Sequence, residues 1–197
     1  MLDTKIFYFQ LALCVRIDYN CNNITEERRR SMFKKFYPDY DVDSAYQIPY
    51  EELYQKGVRG IIYDIDNTLV EHNQDATAQA VCLFRRLKGI GFSITLLSNN
   101  KEERVARFNR RLKVSYIYKA GKPSPKSYRR AMEQMNTNTS NTIFIGDQLF
   151  TDIWGAKRAG ITSYLVKPIA KHEEIQIVLK RRLEKIVLHF YRKKKGK

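Results

Sequence analysis

From residue 58 onward the chain alternates short runs of β-branched and aromatic residues with longer stretches of helical period. The runs RGIIYDI (59–65), FSITLLS (92–98), VSYIYKA (114–120), NTIFIGD (141–147) and ITSYLV (161–166) read as strands. They are almost continuously apolar, the pattern of parallel strands covered on both faces. Between them, TAQAVCLFRRLKGIG (77–91) places Ala80, Leu83, Phe84 and Leu87 on one stripe and ends at glycine. KEERVARFNRRL follows Asn99 and Asn100, good N-cap residues. SPKSYRRAMEQMN opens with serine before proline, and FTDIWGAKRAG again stops at glycine. Such alternation predicts an α/β fold: a Rossmann-like, doubly wound parallel sheet with right-handed crossovers. With 197 residues, 43% of them hydrophobic, the chain can bury one such core and not two.

Ligands of open parallel sheets bind beyond the carboxyl ends of the strands. The first strand ends in Asp64, Asp66 and Thr68, and side chains two apart share one side of an extended chain. The second ends in Ser98 and Asn99, and the third is followed by Gly121-Lys122-Pro123. The fourth ends in Gly146-Asp147, with Asp152 five residues on. Singly, an Asp-x-Asp, a Gly-Lys-Pro or a Gly-Asp is an ordinary turn. At successive strand ends they can converge on one crevice and supply carboxylates, a lysine and hydroxyls.

In this order the residues resemble the motifs of the haloacid dehalogenase (HAD) superfamily of phosphohydrolases. Its Asp-x-Asp-x-Thr, Ser/Thr, Lys and Gly-Asp-x-x-x-x-Asp appear here as DIDNT (64–68), Ser98, Lys122 and GDQLFTD (146–152). The match spans about residues 58–166. The stretch FYPDYDVDSAYQIPYEELYQKGVRGIIYDIDNTLV (36–70) is similar to the YqeG-like branch, subclass IIIA. That branch is itself similar to mitochondrial phosphatidylglycerophosphate phosphatases. The resemblance implies that Asp64 is the nucleophile, forming an aspartyl-phosphate. It makes Asp66 the acid for the leaving group and then the base for water. Asp64, the backbone carbonyl of Asp66 and Asp147 would bind Mg²⁺, with Asp152 in support. Lys122 and Ser98 would hold the phosphoryl oxygens, Asn99 belongs to the same binding group, and Thr68 would orient the loop. A cation also answers an electrostatic problem. Two carboxylates about 4 Å apart repel by roughly 4 kcal/mol at an effective dielectric near 20. A hard divalent ion with oxygen ligands relieves that conflict.

Other residues carry plainer readings. His72 is read as a surface residue, Trp154 as packing, and His172 and His189 as isolated histidines. About two dozen residues separate Val70 from the second strand, and Ser98 from Lys122 there is room for one helix and one strand. Neither gap holds a cap domain, so the expected site is capless and open to a large substrate. The expected reaction is phosphate monoester hydrolysis, with phosphatidylglycerophosphate as first substrate. The alternatives are a nucleotide, sugar or nucleic-acid-end phosphatase, or a non-catalytic RNA- or ribosome-binding module. The paired Asp64 and Asp66 speak against the last.

Net charge is +15, and residues 167–197 hold eleven Lys/Arg against three Glu. In that segment Ile175, Val178, Leu179, Leu183, Ile186, Val187 and Phe190 form a helical apolar stripe. It reads as a final helix packed on the sheet, or as a peripheral contact with an anionic membrane; nucleic acid is the less favoured polyanion. The expected organisation is a loosely attached extension over 1–31, a phosphatase domain over 32–172, and a basic amphipathic helix and tail over 173–197. IFYFQLALCV (6–15) lacks the basic leader and the cleavage site of a signal peptide. Three irregularly spaced cysteines, Cys14, Cys21 and Cys82, predict no disulfide framework and a reducing cytoplasm.

Overall fold

The computed structural model describes residues 33–170 and 175–195. The expected extension over 1–31, His172 and the last two residues of the tail lie outside them. The described residues fall into two compact units, one starting at Phe36 and holding the sheet, the other holding residues 33–35 and the last helix.

In the first unit all five expected strands form: β2 (Gly60–Tyr63), β3 (Ser93–Leu97), β4 (Ser115–Ile117), β5 (Thr142–Gly146) and β6 (Thr162–Val166). A sixth, β1 (Tyr40–Val42), escapes the sequence reading. It has three residues, lies among aspartates and a proline, and shows no period. β1 pairs with β6 at the sheet edge, where Tyr40 stacks on Tyr164. The sheet is parallel throughout, in the order β1-β6-β5-β2-β3-β4. The chain runs outward from β2 through β3 to β4, then returns to β5 on the other side of β2. The crevice between β2 and β5 is therefore the switch point at which such sheets bind ligands.

The helices are α1 (Tyr50–Gln55), α2 (Ala78–Ile90), α3 (Glu102–Asn109), α4 (Lys126–Gln134) and α5 (Trp154–Ala159). α2 buries the expected stripe of Ala80, Leu83, Phe84 and Leu87. Thr77 caps its start by accepting from the Ala80 N–H at 3.2 Å, and Gly91 in the left-handed conformation ends it. One face of the sheet packs Ile61, Tyr63, Ile94, Leu96, Ile143 and Ile145 against α2 and α3 side chains. The other packs Ile62, Leu97 and Phe144 against Tyr128, Ala131 and Ala156 of α4 and α5. Helices on both faces explain the continuously apolar strands. Only loop joins β2 to α2, and only α3 with its loops joins β3 to β4, so neither gap carries a cap module.

In the second unit, α6 (Ile175–Lys195) is a helix of 21 residues in which Glu184, Val187 and Tyr191 are buried. Phe190 stacks on Phe33 at 5.9 Å. Among the described residues no helix is long and apolar enough to cross a membrane.

Candidate active site

Strand register brings the acids together. Tyr63 stands opposite Ile145 of β5 and Leu96 of β3. The ladder continues one residue further, as the Asp64 N–H donates to the Ile145 carbonyl at 2.9 Å. Asp64 is thereby fixed beside the end of β5, where Asp147 follows. Oxygens of Asp64, Asp147 and Asp152 lie within 4.8 Å of one another, and all three residues are buried.

Asp152 reaches this group through an unusual turn. Residues Leu149–Ile153 form one π-helical turn, a form that recurs at functional sites. Its side chain folds back, and Oδ2 accepts from the Gln148 N–H at 3.1 Å. A Cβ on Gly146 would lie 2.6 Å from Asp152 Oδ2 and 2.7 Å from the Phe144 ring. Glycine is required there for close approach and not for a turn.

Lys122 closes the cluster. Its ammonium donates to Asp64 Oδ1 and to Asp152 Oδ1, each at 2.6 Å, and its side chain is 4% exposed. Asn99 holds Lys122 in place: its Oδ1 accepts from the Lys122 N–H at 2.8 Å and its Nδ2 donates to the Lys122 carbonyl at 3.3 Å. The Ser98 N–H continues the β3–β4 ladder to the Ile117 carbonyl at 3.0 Å, and its buried Oγ accepts from the Asn100 N–H at 3.2 Å. Thr68 is buried and donates to Asp147 Oδ1 at 3.2 Å. So Thr68 ties the first loop to the fourth strand end.

Burial pushes the Asp64 carboxyl up to about 7, against the Lys122 ammonium beside it; the charge of Asp152 adds to the rise. Burial alone would lower the Lys122 pKa, but Asp152 and Asp64 outweigh it and keep the ammonium charged. Three carboxylates against one ammonium leave excess negative charge in a water-poor pocket. Buried charge of one sign calls for a partner, and an all-oxygen donor set suits a hard divalent cation. The residues fit such an ion.

Asp66 has different company. Oδ1 accepts from the Asn73 N–H at 2.8 Å and from Arg104 Nη2 at 2.9 Å, and Oδ2 accepts from Asn100 Nδ2 at 2.8 Å. His72 is exposed, as its surface reading expects, with Nδ1 3.9 Å from Oδ1. The Asp66 carboxylate is not part of the three-acid group. The strand ends at Tyr63, and the N–H groups of Thr68, Leu69 and Val70 all turn back to the Ile65 carbonyl. Alternation of side chains holds only while the chain stays extended.

Arg104 and Asn100 did not stand out in the sequence as site residues. Asn99 and Asn100 read as helix caps, yet α3 is preceded by Lys101 and has no side-chain cap. Both asparagines are spent on the site instead. The available signal was the spacing of Arg104 and Arg107, which puts two cations near one side of α3, with Arg111 just past its end. Trp154 packs edge-on against Phe36 at 5.5 Å, as expected of a packing residue.

A parallel sheet with nucleophile-type acids at its central switch point, a lysine between them and a closing Gly-Asp motif defines a HAD-like hydrolase. The HAD-hydrolase-like family model matches residues 119–176. Within that class the chain belongs to the YqeG phosphatases: it is 38% identical over 165 residues to "Probable phosphatase YqeG" of Bacillus subtilis (strain 168), covering 83% of this chain and 96% of that protein. It is also 26% identical over 162 residues to "Phosphatidylglycerophosphate phosphatase 1, chloroplastic/mitochondrial" of Arabidopsis thaliana, over 77% of this chain and 47% of that one. Among solved structures, NagD from E. coli K-12 superposes with a TM-score of 0.48 at 15% identity, over 61% of this chain and 91% of NagD.

Proposed function

We propose that this protein is a Mg²⁺-dependent phosphatase that works through an aspartyl-phosphate, and that its substrate is the phosphorylated headgroup of phosphatidylglycerophosphate. The observation that carries the mechanism is the buried Asp64–Lys122–Asp152 chain beside Asp147.

In the first step an Asp64 oxygen attacks phosphorus, the ester P–O bond breaks, and Asp66 gives its proton to the leaving alkoxide. In the second, water attacks phosphorus, the P–O bond to Asp64 breaks, and Asp66 takes a proton from the water. Inorganic phosphate leaves, with Asp64 free again as the carboxylate and Asp66 reprotonated as the acid. The Asp64 carboxylate loses its own charge while it carries the phosphoryl group. Lys122 keeps Asp152 as a second partner through that stage, so it stays charged and in place for the phosphoryl oxygens, alongside the Ser98 hydroxyl. Asp64, Asp147 and the Asp66 carbonyl would hold Mg²⁺, with Asp152 behind them, and the ion would neutralise phosphoryl charge. Thr68 orients Asp147. Asn99 acts on substrate through Lys122.

Three features support a lipid substrate: the crevice without a cap, the likeness to the Arabidopsis enzyme, and the basic C-terminal segment. The last supports attraction to the surface of an anionic membrane. The test is turnover by purified protein with Mg²⁺, comparing phosphatidylglycerophosphate in mixed micelles with a panel of soluble monoesters. A lipid preference of at least ~10-fold in kcat/KM is expected, since ~1.4 kcal/mol of headgroup and surface binding gives that factor. Faster turnover of a sugar or nucleotide monoester overturns the substrate assignment and leaves the mechanism standing. Deleting residues 192–197 removes five basic side chains, each contributing about 1 kcal/mol at an anionic surface. Vesicle binding should weaken, and lipid turnover should fall more than turnover of a soluble aryl phosphate.

A further inference from the structure

We propose that Arg104 is the positioning residue for Asp66, the first rung of an arginine ladder by which α3 and the turn after it hold the loop 66–76 beside the nucleophile. This rests on the reading of Asp66 as general acid and base.

The ladder has three rungs. Arg104 Nη2 donates to Asp66 Oδ1 at 2.9 Å. Arg107 Nη2 donates to both the carbonyl and Oδ1 of Asn73 at 2.7 Å each, and its Nε pairs with Asp75 Oδ1 at 2.8 Å. Arg111 Nη1 donates to the Ala76 carbonyl at 3.0 Å. Every contact falls on the one stretch that joins the nucleophile strand to α2. Arg107 also acts on Asp66 at one remove. It grips Asn73, a non-glycine residue at φ 63°, and the Asn73 N–H donates to the same oxygen that Arg104 holds. Two independent routes thus converge on Asp66 Oδ1, while Asn100 fixes Oδ2.

Arg104 is a poor choice for stability. Its side chain is 9% exposed, and among the described residues Nε and Nη1 have no hydrogen-bond partner. Phe108 lies 5.5 Å from the guanidinium carbon. A buried cation with unmet donors costs stability that an apolar side chain of similar volume would not. Sites that break such rules without structural gain are the ones that serve function. The role that the geometry leaves for Arg104 is to fix where the Asp66 carboxylate rests. A carboxylate misplaced by about 1 Å can lose ~10²-fold in rate.

The experiment uses the full-length chain with Mg²⁺, single-turnover phosphorylation, and two soluble substrates: glycerol phosphate, a poor leaving group, and p-nitrophenyl phosphate, a good one. Arg104→Ala should lower the saturating rate on glycerol phosphate by roughly 10- to 100-fold and that on p-nitrophenyl phosphate by less than about threefold, because an activated leaving group needs little acid help. The concentration for half-maximal rate should not move. Guanidinium ion at millimolar concentration should restore part of the loss. Arg107→Ala, at a half-exposed side chain, keeps the test open should Arg104→Ala fail to fold. It should show the same selectivity with a loss of about three- to tenfold. Equal losses on both substrates, or a loss that lies in substrate affinity, overturns the proposal. Asp66→Asn separates the two readings. If that variant shows no leaving-group selectivity, the acid assignment fails. If it does and neither arginine variant follows, the ladder alone fails.

Discussion

Asp64 and Asp66 stand two residues apart and are held by unrelated means. Asp64 is fixed by a strand ladder, buried, and bonded to an equally buried lysine. Asp66 lies past the end of the strand with its side chain 12% exposed, and is held by a helix and a loop. The difference matches the roles proposed for them. A nucleophile gains from a rigid, water-poor site where nearby charges act strongly. A group that gives and takes a proton needs access to the leaving group and to water. The half proposed as nucleophile is backbone-built, and the half proposed as acid is side-chain-built.

The largest expected effect strikes the nucleophile half. Asp64→Asn should cut turnover by at least ~10⁴-fold on every monoester while the melting transition survives, measured by single-turnover phosphate release and by circular dichroism. Residual turnover near the wild-type rate would remove Asp64 from the mechanism. Next comes Lys122→Met, which leaves Asp64 and Asp152 buried without their cation. Breaking a buried pair from one side costs about 3–5 kcal/mol, so the metal-free variant should lose midpoint in urea. Wild-type stability in that variant would mean that the lysine pairs little with either acid.

Mg²⁺ tells the halves apart directly. At about 100 times its Kd a ligand that binds only the folded state adds ~2.7 kcal/mol. A shift of Tm with Mg²⁺ should vanish in Asp147→Asn and persist in Asp66→Asn, which keeps the backbone carbonyl. The reverse pattern would move the ion to the acid half. Gly146→Ala should cost roughly 1–3 kcal/mol, because the new methyl meets the Asp152 carboxylate and the Phe144 ring. The same variant should weaken the Mg²⁺ shift; an unchanged shift would show that Asp152 yields without consequence for the ion.

The smallest effect lies at the sheet edge, remote from both halves in the strand order. Burial raises the Asp39 pKa, but Lys157 and Ser163 outweigh it and hold the carboxyl below its ordinary 3.8. A folded pKa below the unfolded one gives stability that is present above 3.8 and lost as pH falls through the lower folded value. Asp39→Asn should reduce stability slightly at pH 7 and flatten the acid limb below pH 4 in urea titrations. A steeper acid limb in the variant would contradict the bonding seen here.

Most of the sheet was legible because it rests on local pattern. Five strands and the stripe of α2 follow from period and punctuation, which act over a few residues. β1 was not, since three residues of YDV become a strand only because β6 offers a free edge. The crevice was legible too. Asp64, Ser98, Lys122 and Asp147 each follow a recognisable strand, and parallel topology gathers strand ends on one side.

Long-range contacts lay beyond that kind of reading. Asn100 has the composition of a helix cap and becomes a ligand of Asp66, thirty-four residues away. Gly146 reads as a turn former and turns out to make room for a carboxylate. Arg104 looks like one more charge on a basic helix, and is buried against the acid. Local sequence sets backbone conformation, and through it which residues arrive at the end of a strand. Which side chain then meets which depends on how distant segments pack, and the same residue types serve a solvated helix face or a buried site equally well until that packing chooses.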